Sequence, residues 1–324
     1  MEFQVNGSHT PVSRDDLETL LALVVQRTTN PRAGIFGPGS ISWQVYRESA
    51  VFLGAGRAAL LQLAHPWVAA ALTQHSRVLS DPIARFHNTF RVVFTMVFGT
   101  LEQAIRAARH LHGLHARIAG ALPEDAGGWR RGSSYEANEI AALRWVHATL
   151  IESALMAYEC VLPPLDADER EQYYMQSKTL SALFGIPPTA LAENWAAFTR
   201  YNEQMWESGE LGVNQISRSI AQKISSGAGS WVHPPRWYRA LTAAWMPARF
   251  RAEFGLDFSR IDRRAAEQAL RRLPGVYRRF PAAVRFVGPY REAEARLADR
   301  PASILIQYSN RLWTGGPRLP FGDV

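Results

Sequence analysis

Two histidines lie on apolar helical stripes near the middle of this sequence. His115 belongs to such a stripe on a predicted helix over 101–119, and His147 belongs to another on a predicted helix over 136–160. A buried imidazole needs partners, because one unpaired polar group costs about 1–3 kcal/mol. Each histidine is therefore either a core side chain bonded to a carbonyl or hydroxyl, or a neutral axial ligand of a haem iron.

A third helix face carries polar groups of another kind. Arg85, Thr89 and Val92 share one side of a predicted helix over 82–98, and Asn88 lies beside them. A buried arginine has to meet an anion, because an isolated charge is costly away from water. That anion is either a structural Asp or Glu or a haem propionate. The Thr89 hydroxyl either bonds back to the Arg85 carbonyl or, like Asn88, donates to a ligand on the iron.

Several other chemistries are excluded by what the sequence lacks. Cys160 is the only cysteine, which excludes an intrachain disulfide, a zinc finger and a cysteine-bound iron–sulfur cluster. The sequence contains no His-Glu-x-x-His and no Glu-x-x-His, so the zinc and di-iron sites built from those motifs are not expected. The Gly54-Ala55-Gly56 segment lacks the third glycine of a dinucleotide-binding loop.

The positive charge is concentrated near the C-terminal end. The chain has 36 basic and 29 acidic residues, and the segment 236–300 holds 15 arginines against 7 acidic residues. This segment is interpreted either as a solvated basic surface or as a docking surface for an acidic partner or an anionic membrane. No nucleic-acid partner is expected, because no recognition motif accompanies the charge.

The elements that position these residues are predicted to be helices, since no sustained period-two alternation occurs. We expect one all-α domain over 1–324, with a core over 34–225 and a basic helical part over 230–300, joined near the SSGAGS segment at 225–230. Helical patterns cover 17–28, 41–63, 82–98, 101–119, 136–160, 168–183, 189–207, 214–225, 236–253, 262–272 and 290–298. Ser40 and Asp81 are predicted N-caps, and Gly99 and Gly120 predicted ends.

No segment is predicted to cross or enter a membrane. Residues 1–16 lack the pattern of a signal peptide. The most apolar stretch, 50–72, is interrupted by Arg57, Gln62, His65 and Pro66, whereas a span needs about 20 apolar residues in a row. We expect a buried helix there and the cytoplasm as the location. Peripheral contact of the basic segment with a membrane stays open.

A set of short segments in a fixed order resembles a known family. It resembles a bacterial family that shares its catalytic domain with latex-clearing rubber oxygenases and the MpaB oxygenase, over roughly residues 34–300. The segments that carry the resemblance are GRAALLQLAHP at 56–66, Ser76, DPxxRxxxT at 81–89, Phe98-Gly99, HARIAG at 115–120, YEA at 135–137 and WVHATL at 145–150.

The resemblance implies a globin-like bundle of helices around haem b, using dioxygen or peroxide on a hydrophobic substrate. By position, His115 matches the proximal ligand of the iron, and Arg85 and Thr89 match pocket residues. His147 matches a second recurrent histidine that supports the pocket. We include His65, at the end of the first matching segment, among the cofactor-binding candidates.

One position departs from the family pattern. Rubber oxygenases carry a distal lysine just before the threonine, where this chain has Asn88, and their proposed catalytic glutamate has no matching position here. The expected function is a haem-dependent oxygenase acting on an isoprenoid- or lipid-like molecule. Two alternatives are a non-catalytic haem protein, such as a sensor, carrier or store, and a haem-free protein that binds an apolar ligand or a membrane surface.

Overall fold

The computed structural model describes residues 10–76, 81–227, 233–256 and 258–322. These residues form sixteen α-helices, two short 3₁₀ helices and one two-stranded sheet, as the all-α prediction requires. The first half contains α1 (Arg14–Arg27), α2 (Ile41–Tyr46), α3 (Ala55–Leu63), α4 (Pro66–His75), α5 (Pro82–Phe98), α6 (Leu101–His115), β1 (Ala119–Ala121), β2 (Ser134–Glu136) and α7 (Ile140–Glu159). The second half contains α8 (Ala167–Leu183), α9 (Trp195–Glu207), α10 (Gln215–Ser226), α11 (Arg236–Trp245), α12 (Ala248–Glu253), α13 (Arg260–Tyr277), α14 (Ala282–Arg285), α15 (Gly288–Leu297) and α16 (Ile304–Thr314).

Side-chain caps fix where the helices near the candidate residues begin. Ser40 accepts a hydrogen bond from the Trp43 backbone, and Asp81 accepts one from the Ala84 backbone with Pro82 in the first turn. Both caps confirm the prediction. Thr100 caps α6 through a reciprocal pair with Gln103.

The predicted continuous helix over 41–63 is wrong. The chain instead forms α2, a 3₁₀ helix over Ser49–Gly54, and α3. The break lies at Glu48, whose backbone is extended and whose buried carboxylate pairs with Arg285 at 2.9 Å. Gly54 then packs directly on α7, because a Cβ at this position would lie 2.3 Å from the Ser153 carbonyl oxygen. Apolar periodicity could not anticipate these tertiary contacts.

Helices α5 and α6 form an antiparallel pair that turns at Gly99. The predicted bounds of α5 are confirmed, including its end at Gly99. Arg85 lies fourteen residues before this turn and His115 sixteen residues after it. Because both helices rise about 1.5 Å per residue, the start of α5 and the end of α6 lie at the same height. The pair therefore brings Arg85 alongside His115.

The predicted end of α6 near Gly120 is wrong. The helix ends at His115, and residues 119–121 pair antiparallel with 134–136, with Ala119 opposite Glu136. Gly120 is a strand residue, and a Cβ there would lie 2.7 Å from Gln74 Oε1 and 2.9 Å from the Tyr135 hydroxyl. The small hairpin thus packs against α4. Because the chain forms the second strand and the turn after it, the helix predicted over 136–160 begins later, at Ile140.

Helix α7 runs through the centre of the bundle. Its buried residues include Trp145, whose indole N–H donates to the Leu61 carbonyl at 2.8 Å. Among the residues described, this helix has the length and composition of a membrane span, but 61% of the apolar window is buried inside the protein. Helices in protein cores commonly have these properties.

The basic C-terminal part is tied to the core by buried polar contacts. Arg57 Nε of α3 donates to the Trp245 carbonyl of α11 at 3.0 Å, and α11 packs along α13. Trp231 and residues 228–230 of the predicted linker lie outside the described residues. Helix α16 was not predicted, and it packs on the outer side of α5, where Arg91 Nε donates to the Thr314 carbonyl at 2.8 Å.

Candidate functional site

The end of α6 and the start of α5 form the centre of the candidate site. The His115 ring is half-buried, and burial lowers its pKa to about 4; the nearby Arg85 and His112 side chains act in the same direction. The imidazole is therefore neutral near pH 7. A neutral imidazole is the form that coordinates a metal.

Asn138 lies beside the His115 ring, a contact that the sequence did not predict. The Asn138 side chain opposes the fall in the pKa of His115, while Asn138 Nδ2 donates to the His112 carbonyl at 3.2 Å. The hairpin makes this possible, because the Ala137 backbone N–H donates to the Ile118 carbonyl and returns the chain to the end of α6. Such a partner fixes the orientation of a ligating histidine.

Arg85 lies beside His115 without an anion. The Arg85 side chain is exposed to solvent, and the protein around the guanidinium lowers its pKa by burial. Among the described residues the Arg85 side chain has no ion pair and no hydrogen bond, so the expected structural Asp or Glu is not found there. Arg85 therefore presents an uncompensated positive charge beside His115.

Thr89 and Asn88, the other two polar residues of this α5 face, differ in whether their side chains are free to donate a hydrogen bond to a ligand. The Thr89 hydroxyl donates to the Arg85 carbonyl at 3.0 Å, which is one of the two alternatives that the sequence left open. Asn88 is exposed, and its amide has no hydrogen bond among the residues described. Asn88 is thus the free amide donor on the side of α5 that carries Arg85.

His147 is located elsewhere. Its Nε2–H donates to the Ser177 carbonyl at 3.0 Å, and the ring lines a small cavity with Arg144, Tyr174 and Tyr201. Neither these neighbours nor Ser177 is among the groups that surround His115. A bond to a backbone carbonyl is what the core interpretation of this histidine predicts, and its support of a cofactor pocket stays a prediction.

His65 begins α4 and is also buried. Its Nδ1 has no hydrogen-bond partner among the described residues, and its ring lies 5.5 Å from that of Trp67. Helix α4 reaches the hairpin at its other end, where His75 Nε2–H donates to the Ala119 carbonyl at 3.1 Å. The structure gives no contact between His65 and His115, so a cofactor role for His65 stays a prediction.

Comparison with protein families gives one match. Residues 43–286 match the family model described as "ER-bound oxygenase mpaB/B′/Rubber oxygenase, catalytic domain". The chain belongs to this family. Comparison with curated proteins and with solved structures finds no significant match.

Membership of the MpaB/rubber oxygenase family confirms the resemblance and indicates an oxygenase. The matched range contains every residue placed at the candidate site: Arg85, Asn88, Thr89, His115 and Asn138. The family description does not state a cofactor. Among the described residues no group of three or more His, Cys, Asp or Glu side chains is arranged to hold a metal ion. A lone imidazole such as His115 fits an iron held mainly by a porphyrin.

In this family member, the two fully buried histidines should make stability depend on pH. Burial lowers the pKa values of His65 and His147 to about 4, from 6.5 in an unfolded chain. As the pH falls below 6.5 the unfolded state takes up protons first, so the free energy of unfolding decreases between pH 6.5 and about 4. At about pH 5 the expected loss is about 2 kcal/mol for each histidine.

Urea unfolding followed by circular dichroism at about pH 7 and about pH 5 measures this loss. The His147→Gln variant keeps a donor for the Ser177 carbonyl and cannot titrate. About a third of the pH effect should therefore disappear, because His65 and His115 titrate over the same range. Equal free energies of unfolding at the two pH values would contradict the prediction.

Proposed function

We propose that this protein is a haem b-dependent oxygenase that acts on a hydrophobic substrate, isoprenoid- or lipid-like in character. Membership of the family supports the reaction class. The observation that carries the haem assignment is the pairing of a neutral histidine, His115, with an arginine, Arg85, that has no anion. Haem b brings both missing components, an iron for the imidazole and propionates for the guanidinium.

Each residue of the site would have a separate role in holding the haem. His115 would hold the iron, and Asn138 would orient the ring. Arg85 would bind a propionate and anchor the edge of the porphyrin. When bound, the haem supplies dioxygen binding and oxidation, which the protein side chains cannot supply themselves.

Apolar side chains flank these polar groups. Leu111 lies one turn before His115 on α6, and Val92 one turn after Asn88 on α5; both are half-buried. Apolar neighbours of this kind favour an apolar substrate. Asn88 would donate a hydrogen bond from the α5 side, in place of the lysine found in rubber oxygenases.

A non-catalytic haem protein is the second candidate. The observation that favours it is the small number of hydrogen-bond donors on α5. The Thr89 hydroxyl already donates to the Arg85 carbonyl, so of these two side chains only the Asn88 amide remains to donate to a ligand on the iron. A sensor, carrier or store needs the same anchoring by His115 and Arg85 but no further donor.

Haem reconstitution separates these possibilities. Purified protein titrated with haemin is expected to give a Soret band that saturates at one haem per chain. The loaded protein, given a reductant and an isoprenoid such as squalene, should consume dioxygen only when the isoprenoid is present. A missing Soret band would disprove the haem proposal. Haem binding without dioxygen consumption would favour the second candidate.

A further inference from the structure

The end of α13 and the segment after it hold apolar side chains in solvent. Val276, Phe280 and Val284 are 48%, 44% and 53% exposed, and every residue from 278 to 284 is exposed. Clustered exposure of this kind is characteristic of an interaction surface. We define the α13–α14 surface as Arg271, Arg272, Val276, Arg278, Arg279, Phe280 and Val284.

The same surface is strongly positive. Residues 268–291 include six arginines and no acidic residue. Four of these arginines are exposed and form no ion pair among the described residues. Two of the four, Arg278 and Arg279, donate to the carbonyls of Pro274 and Gly275 one turn earlier. Because a backbone carbonyl carries no net charge, these bonds do not neutralise the guanidinium groups.

A buried polar cluster holds both ends of the exposed segment in place. The Tyr277 hydroxyl donates to Glu48 Oε2 at 2.9 Å and accepts from the Ala50 backbone N–H at 3.2 Å. Arg285 binds the same carboxylate through Nε and a terminal nitrogen, at 3.2 and 2.9 Å. Glu48 is 1% exposed. The segment 278–284 is therefore anchored at each end, and its apolar side chains lie in solvent.

We propose that the α13–α14 surface docks the protein on an anionic lipid bilayer. Arginines close to an anionic membrane gain electrostatic energy, and apolar side chains between them enter the boundary between headgroups and acyl chains. A nucleic acid would engage the arginines but leave Val276, Phe280 and Val284 in water. The proposal is independent of the haem site, because none of its residues contacts His115 or Arg85.

Vesicle binding by the full chain tests whether the arginines of the α13–α14 surface attract it to an anionic bilayer. We expect binding to vesicles of phosphatidylcholine with phosphatidylglycerol, weakening as salt is raised, and no binding to phosphatidylcholine alone. Arg272→Gln with Arg279→Gln should weaken binding about 25-fold, on the basis of about fivefold for each arginine. Arg27→Gln with Arg200→Gln removes the same charge from exposed positions elsewhere. This control pair should change binding by less than about twofold.

A fluorescent dye attached to the segment 278–284 tests whether this segment inserts into the bilayer. Ala283→Cys in a Cys160→Ser background, carrying an environment-sensitive dye, should show a blue shift with anionic vesicles. The same dye on an Arg27→Cys variant should show none. Phe280→Ser should weaken binding, whereas Ile304→Ser, at an exposed apolar position on α16, should not.

Four results would overturn the proposal. They are no binding to anionic vesicles, equal losses for the two arginine pairs, equal losses for Phe280→Ser and Ile304→Ser, and an unshifted dye at position 283. Capture by polyglutamate together with an unshifted dye would assign the surface to an acidic protein instead.

Discussion

Replacement of His115 by alanine is expected to weaken haem binding by more than about 100-fold. The estimate follows because loss of an outer partner alone costs 10- to 100-fold at metal sites, and loss of the ligand costs more. Asn138→Ala should have the smaller effect, about tenfold, since the ring remains but loses the polar side chain beside it. Haemin titration followed at the Soret band measures both.

The matched control is His147→Gln. This histidine is also neutral and buried, but its Nε2–H is engaged with the Ser177 carbonyl, so its replacement should leave haem affinity unchanged. A His115→Gly variant should regain the Soret band when free imidazole is added, which a merely structural role would not allow. Loss of haem in His147→Gln alone would mean that the proposed ligand is wrong.

The sequence located the polar residues of the site but not the contacts that orient them. The α5 pattern and its bounding Asp81 and Gly99 were sufficient to place Arg85 on one helix face, because helix periodicity and capping are local properties. Asn138 was missed because its position depends on the pairing of 119–121 with 134–136. Strands of three residues are too short to leave an alternating pattern.

The same distinction explains the errors in the fold. The helix predicted over 41–63 has a nearly uniform apolar composition, which cannot indicate where a chain bends. The bend is set by Glu48, whose partners Tyr277 and Arg285 lie more than two hundred residues away. Arg57, within the segment 56–66 that carries part of the resemblance, forms a buried ion pair with Glu152.

Replacement of Arg57 by alanine is expected to lower the free energy of unfolding by about 3–5 kcal/mol, the cost of removing one partner of a buried ion pair. Arg57 is 2% exposed and binds Glu152 at 2.6 Å, the Ser153 hydroxyl at 2.9 Å and the Trp245 carbonyl at 3.0 Å. It therefore joins α3, α7 and α11. Such a loss is a large fraction of the 5–15 kcal/mol that typically stabilises a domain.

Urea unfolding of three variants separates an ion-pair effect from a simple loss of volume. Arg106→Ala breaks an exposed pair with Glu102 and should cost less than about 1 kcal/mol. Replacement of both buried partners, Arg57→Met with Glu152→Met, should recover much of the loss, because it leaves no unpaired charge. Folded Arg57→Ala should still bind haem, since none of the partners of Arg57 lies at the candidate site. A haem defect without a stability defect would instead mean that Arg57 belongs to the site.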